Sequence, residues 1–305
     1  MLLTGLFYII IPLFLIGMIA LSRQPSILLW AVTILAFGFV IANMWATARW
    51  DLVGIYLKNV FLVLYLIACV VGYKRIKKPA KPQNRILTVL GIGVSILLIV
   101  YMSGVNWFTY RGYSAPEGTI DLVSPLRNNQ YIVLHGGSSP FTNAHFHVRP
   151  QNYALDIVGL NSFGMRASSI AGGSDLNNYV IYGDSVFSPC AGTVAIALDE
   201  YDDLAPPNTD TEHLAGNHIL IECDGAEVLL AHLKKGSIVV NEGDSVTSNS
   251  VLAQVGNTGN TSEPHLHMHV ESGGEPRTIL NGKAVPFTIN NRFLVRGDII
   301  EFSQK

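Results

Sequence analysis

The pattern of apolar and polar positions divides the chain into two unlike regions. Four stretches, at about 1–21, 26–48, 52–73 and 86–107, are nearly free of charge, and Lys58 alone interrupts the third. Each approaches the roughly 20 apolar residues needed to cross a hydrocarbon core, so four transmembrane helices are predicted. The first stretch lacks a basic leader and a clear small-residue cleavage site, which favours a retained span over a signal peptide. Beyond residue 112 the pattern shortens. Segments 192–198, 217–222 and 226–233 are brief β-rich runs bounded by Gly, Asp and Pro. Segments 237–240 and 251–255, with Glu242-Gly243-Asp244 between them, read as strand, turn, strand, and Pro206-Pro207-Asn208 as a surface loop. Nothing in 113–305 shows a long helical period. The expected architecture is an N-terminal four-helix transmembrane region, 1–112, followed by a mainly antiparallel β domain, 113–305.

Charge sharpens the division. Residues 1–112 hold one acid, Asp51, and ten bases, whereas the remainder holds ten bases and twenty-one acids, although the whole chain nets only −2. Lys74, Arg75, Lys77, Lys78, Lys81 and Arg85 crowd the connection between the third and fourth stretches, which places that connection in the cytoplasm and the C-terminal domain outside it. Trp45, Trp50, Trp107 and Tyr110 are then expected at the outer interface, where amphipathic rings prefer to lie. Lys58 is close enough to that end to snorkel. No His, Asp or Glu stands deep in a span, which argues against a proton or metal pathway through the bundle. Of the three cysteines, Cys69 lies in the third span as a small hydrophobe. Cys190 and Cys223 share the exported domain, and spacing leaves their pairing open.

All nine histidines lie beyond residue 112. A glycine-rich turn, Gly256-Asn257-Thr258-Gly259, leads through Pro264 to His265, His267 and His269, and on a strand these three project to one face. Asp156 sits among apolar neighbours, where a lone carboxylate is costly and should be paired or bound to a metal. His145 and His147 stand upstream of it, and His232 closes the apolar run from Val228. Helix-borne H-E-x-x-H, a G-x-S-x-G elbow and a phosphate-binding loop are all missing.

Taken in order, Tyr153-Ala154-Leu155-Asp156, the 188–194 run around Pro189-Cys190, Gly216-Asn217-His218-Ile219, Leu230-Ala231-His232-Leu233, Gly243-Asp244-Ser245-Val246 and the Pro264-His265-Leu266-His267 element resemble the lysostaphin-type zinc endopeptidases, also called the β-lytic or glycyl-glycine metallopeptidases. The resemblance covers about 130–285 and leaves the four spans aside. It implies a Zn2+ ion held by two histidines and an aspartate. Carried over, Asp156 and His267 are ligands, while His232 and His265 form a catalytic pair that does not bind the metal. The third ligand is expected at His145, in an Asn143-Ala144-His145 element, because position 152 is Asn where the compact form of the family has His. His147 would share a strand face with His145, so periodicity does not choose between them. His218 and His269 are expected near the site without binding the metal. The implied function is hydrolysis of peptide bonds in peptidoglycan stem peptides or cross-bridges by a multi-pass bacterial membrane protein. The alternative is a non-catalytic module of the same fold that regulates another cell-wall hydrolase. Expected partners are peptidoglycan or peptide substrate, the lipid bilayer and a membrane protein docked on the spans; nucleic acid is not among them.

Overall fold

The computed structural model describes residues 1–76 and 85–301. Lys77, Lys78 and Lys81, which carry half of the basic connection, lie outside the described residues. The chain divides into two compact units, Met1–Tyr110 and Arg111–Lys305.

The first unit contains four helices among the described residues, α1 (Leu2–Leu21), α2 (Ile27–Thr47), α3 (Leu57–Lys74) and α4 (Arg85–Arg111). Each is long and apolar enough to cross a membrane. Ser26 starts α2 by accepting the Leu29 N–H on its hydroxyl, at 3.1 Å. The third helix begins five residues later than its hydropathy predicts. Residues Trp50–Leu52 form a 3₁₀ turn, and Gly54, at φ +105°, reverses the chain before Leu57. Trp50 is correspondingly buried between Tyr8 and Phe61, and its indole N–H donates to the Met44 carbonyl. Lys58 stands in the first turn of α3, and its ammonium lies 4.4 Å from the centre of the Trp45 ring. Polar groups link the helices sparingly. Tyr65 donates to the Ile34 carbonyl, Asn106 to that of Phe39, and Asn43 to the Thr109 hydroxyl.

The second unit is built of thirteen strands among the described residues: β1 (Ile120–Leu122), β2 (Gln130–His135), β3 (Leu155–Leu160), β4 (Ser185–Phe187), β5 (Gly192–Leu198), β6 (His218–Cys223), β7 (Ala226–Ala231), β8 (Ser245–Val246), β9 (Val251–Gln254), β10 (Leu266–Ser272), β11 (Lys283–Ala284), β12 (Phe287–Ile289) and β13 (Ile299–Ile300). The main sheet runs β13-β2-β3-β10-β7-β6-β5-β8, with β11 on the far end of β10. Its ladders are antiparallel, and only the small β1–β12 pair is parallel. In chain order, four apolar helices are followed by an antiparallel sheet domain.

Strand alternation sorts the two faces of the sheet. Leu155, Ile157, Ile219, Ile221, Val228, Leu230, Leu266 and Met268 enter the principal core. Their neighbours one position along, including Leu220, Leu229 and Ala231, form a smaller apolar cluster on the other face. Asp156, His267 and His269 belong to that second face by the same period of two. Segment 237–240 is not a strand. It makes one backbone bond to β9, from Val239 N–H to the Leu252 carbonyl, and the ladder of β9 is with β4. Cys190 and Cys223 form a disulfide that ties the approach to β5 to the end of β6.

Candidate functional site

Asp156 and His267 are directly opposed on β3 and β10, with His135 of β2 opposite Asp156 on its other side. Register alone therefore sets a carboxylate between imidazoles. His267 Nδ1 lies 2.8 Å from Asp156 Oδ1, and His145 Nε2 lies 2.9 Å from Asp156 Oδ2. His145 arrives from a turn, not a strand, so it does not share a face with His147. His147 is exposed and packs on Phe146. Asn143 organises the turn. Its buried amide donates to the Gly137 and Ala154 carbonyls, and its Oδ1 accepts the His145 N–H.

His232 follows β7 with φ +62°, a left-handed conformation that histidine tolerates better than most residues. The turn is fixed on both sides, since His232 N–H donates to Ala215 and Gly256 N–H donates back to the His232 carbonyl. Its Nδ1 lies 2.8 Å from the Thr258 carbonyl, which can only accept, so that nitrogen carries the ring proton and Nε2 is the lone pair. His265 repeats the device. Its Nδ1 lies 2.9 Å from the Glu263 carbonyl, beside the Thr261 hydroxyl, while its Nε2 is 3.6 Å from Asp156 Oδ1. The two rings stand 4.7 Å apart.

Donor atoms of His145, Asp156 and His267 all lie within 4.8 Å of one another, and so do those of His232, His265 and His267. Electrostatics suits a cation. Burial alone would raise Asp156, but the surrounding His145 and His265 outweigh it and hold the carboxyl well below its usual range. Burial pushes His267 down to about 4 against the pull of Asp156. His232 is likewise held well below the usual imidazole range by burial and by its neighbours His265 and His267. His145 is also pulled down by burial, yet Asp156 beside it prevails and raises it. Burial thus favours the neutral imidazole at His232 and His267 beside an ionised Asp156. Two imidazoles and a carboxylate clustered around a common centre are a fitting donor set for zinc with a position left over.

The cluster opens on a cleft of about 230 Å³ lined by Val148, Gln151, Leu214, Leu229, Asn260 and Leu280 together with His145, His232 and His267. His218 lies buried one strand away, with Nδ1 donating to the Gly216 carbonyl, and outside both donor groups. His269 stands behind His267, at 3.0 Å. Sequence reading gave no weight to His135 or Arg296. His135 packs edge-on against His145 and accepts the Ala144 N–H, with an Arg296 nitrogen 2.9 Å away. The available signal was that His135 closes an apolar strand in the same way that His232 does.

Residues 171–279 match the model of peptidase family M23. That span contains His232, His265 and His267 but stops short of His145 and Asp156. No curated protein matches the chain. Among solved structures, a zinc-containing peptidase from Vibrio cholerae is 28% identical over 30% of this chain and 24% of its own, at a TM-score of 0.24. LytU is 24% identical over 33% of this chain and 62% of its own, at 0.25. The catalytic domain of lysostaphin from Staphylococcus simulans is 18% identical over 35% and 78%, at 0.23. The chain thus spans about a quarter of the length of the first of these structures. The second unit carries a domain of peptidase family M23, the lysostaphin type, and four long apolar helices precede it.

Proposed function

We propose that the chain is a membrane-anchored zinc endopeptidase whose domain at 113–305 faces the outside of the cytoplasm and cuts peptide bonds of peptidoglycan. The observation that carries this is the packing of His145, Asp156 and His267 around one point beside two further imidazoles, at the mouth of a cleft. These three would hold zinc; the carboxylate supplies charge compensation that the alternative set of His232, His265 and His267 lacks. When bound, zinc supplies the Lewis acidity that activates water and polarises a peptide carbonyl. His232 and His265 both commit Nδ1–H to a backbone carbonyl and leave Nε2 as the atom at which a proton is taken up or delivered. One receives the proton of the attacking water and passes it to the departing amine, and the other, when protonated, donates to the carbonyl oxygen as it gains charge. Leu214, Val148, Leu229 and Leu280 exclude water from the cleft wall, while Gln151 and Asn260 offer amides to a substrate backbone.

Orientation is supported by Lys74, Arg75 and Arg85 at the end of α3 and the start of α4 and by the Cys190–Cys223 bond, which suits an oxidising compartment. The test uses the full chain in detergent, with zinc content measured beside peptide release from purified peptidoglycan. About one zinc per chain and release of peptides are expected on the one-site reading. A zinc-free chain that binds peptidoglycan without cutting it would move the function to a non-catalytic module.

Zinc uptake is also expected to depend on pH in one direction. His145 is the ligand whose pKa is raised, so protonated His145 stabilises the metal-free cluster at low pH, and that contribution fades as pH rises through its titration. Zinc must displace that proton. Apparent affinity should therefore fall by about tenfold per pH unit on the acid side of the titration, the slope for one proton exchanged. Chelator competition across pH 5–8 checks the slope, and a flat profile would remove His145 from the ligand set.

A further inference from the structure

β10 carries polar groups beyond His267 that the proposed reaction does not use. His269 and Glu271 follow it at intervals of two on the same face, and they are 1% and 0% exposed. A buried imidazole and a buried carboxylate each need partners. His267 Nε2 lies 3.0 Å from His269 Nδ1, and His269 Nε2 lies 3.6 Å from Glu271 Oε1. Glu271 is itself anchored, since Oε1 accepts the Leu280 N–H at 3.0 Å and Oε2 the Gly282 N–H at 2.7 Å. A file of groups therefore runs from Asp156 through His267 and His269 to Glu271, and ends in the 280–282 loop. Leu280 of that loop lines the cleft.

Proton placement along this file is forced once His267 Nδ1 is given to a metal. His267 Nε2 must then carry the ring proton of the neutral imidazole and donate it to His269 Nδ1. His269 in turn keeps its own proton on Nε2, which faces the Glu271 carboxylate. The link from His267 to His269 has one donor and one acceptor, whereas His269 Nε2, buried without a hydrogen-bond partner among the described residues, meets Glu271 at 3.6 Å as an electrostatic contact with a full negative charge fixed by two backbone N–H groups.

We propose that His269 and Glu271 are a positioning pair that fixes the tautomer and ring orientation of His267 and joins that orientation to the 280–282 wall of the cleft. The inference rests on the reading of His267 as a zinc ligand. Groups that receive the outer N–H of a ligating histidine typically change metal affinity by about 10–100-fold when lost.

Zinc affinity by chelator competition, thermal melting of the metal-free protein and kcat against KM are measured on the full chain in detergent. His269→Phe keeps a ring of similar size without an acceptor. It is expected to bind zinc about 10–100-fold more weakly, with the metal-free protein still melting cooperatively, KM unchanged and kcat lowered. His269→Gln, whose amide can accept from His267 and donate toward Glu271, is expected to restore most of the affinity. Undiminished zinc affinity in a folded His269→Phe chain overturns the proposal. If His269→Phe does not melt cooperatively, Glu271→Gln decides: it preserves shape and removes the charge, a loss of about tenfold is expected, and unchanged affinity again overturns the proposal. A wild-type chain that binds no zinc fails differently, because it removes the proposed function as well.

Discussion

Replacing Asp156 with alanine is expected to empty the cluster of zinc and to lower peptide hydrolysis by about a thousandfold or more, since the Lewis acid supplies several kcal/mol of transition-state stabilisation and each 1.36 kcal/mol is tenfold. The physical reason is specific to this position. Asp156 is the carboxylate that both His145 and His267 face, at 2.9 and 2.8 Å, so its loss removes a donor and leaves the rings without a charge to organise them. Replacing His232 or His265 should give a different signature: zinc retained and kcat lowered by about 10²–10⁴-fold, the range for a positioned acid or base. Measuring zinc content and kcat together separates the two classes. Zinc lost with His232→Ala and kept with Asp156→Ala would invert the roles and favour the set of His232, His265 and His267.

The second large effect concerns stability. Arg166 and Glu263 are 1% and 4% exposed, and the guanidinium Nε meets Glu263 Oε2 at 2.5 Å. Burying two charges is costly, and the pair persists because each compensates the other. Glu263→Ala takes the compensating carboxylate from a buried cation and is expected to cost about 3–5 kcal/mol, or on the order of 10 °C in the melting temperature of a domain this size. The effect also reaches the site, because the Glu263 backbone carbonyl is the group that holds His265 Nδ1. Arg166→Met combined with Glu263→Met should recover part of the loss, since no buried charge is then left uncompensated, while the Ile170 carbonyl loses its Arg166 donors. A single variant melting within about 2 °C of wild type, under 1 kcal/mol at this size, would show that solvent or another group takes over the compensation.

Local periodicity made some of the site legible and left the rest hidden. His265, His267 and His269 are readable because a strand repeats every two residues, and β10 is indeed a strand from Leu266. Asp156 is readable because an acid inside Leu155–Leu160 has nowhere to put its charge. The choice between His145 and His147 is not readable by the same rule, since the segment is a turn and a turn has no fixed face. His135 is missed because, although it ends an apolar strand as His232 does, it stands in none of the motifs that carry the family resemblance. The 237–240 segment has strand composition and runs beside the second edge of β9, but it meets that edge through the single backbone bond at Val239, because the Ser237 hydroxyl and the Asp199 carboxylate take up neighbouring backbone N–H groups instead. The start of α3 moves because Gly54 can reverse the chain where hydropathy sees only continuing apolar character.

From its order of residues alone, the chain declares four apolar helices, a strand-rich domain rich in histidine, and the motifs of a metallopeptidase family, because hydropathy, strand period and short motifs are properties of neighbours along the chain. Assembly of the cluster is another matter. Asp156 and His267 are 111 positions apart and become adjacent only when β3 and β10 pair in one register, since a slip of one residue would send both to the opposite face. That register, the left-handed turn at His232 and the Cys190–Cys223 bond are set by packing between distant segments, where burial of the core selects one pairing among many that local preference allows.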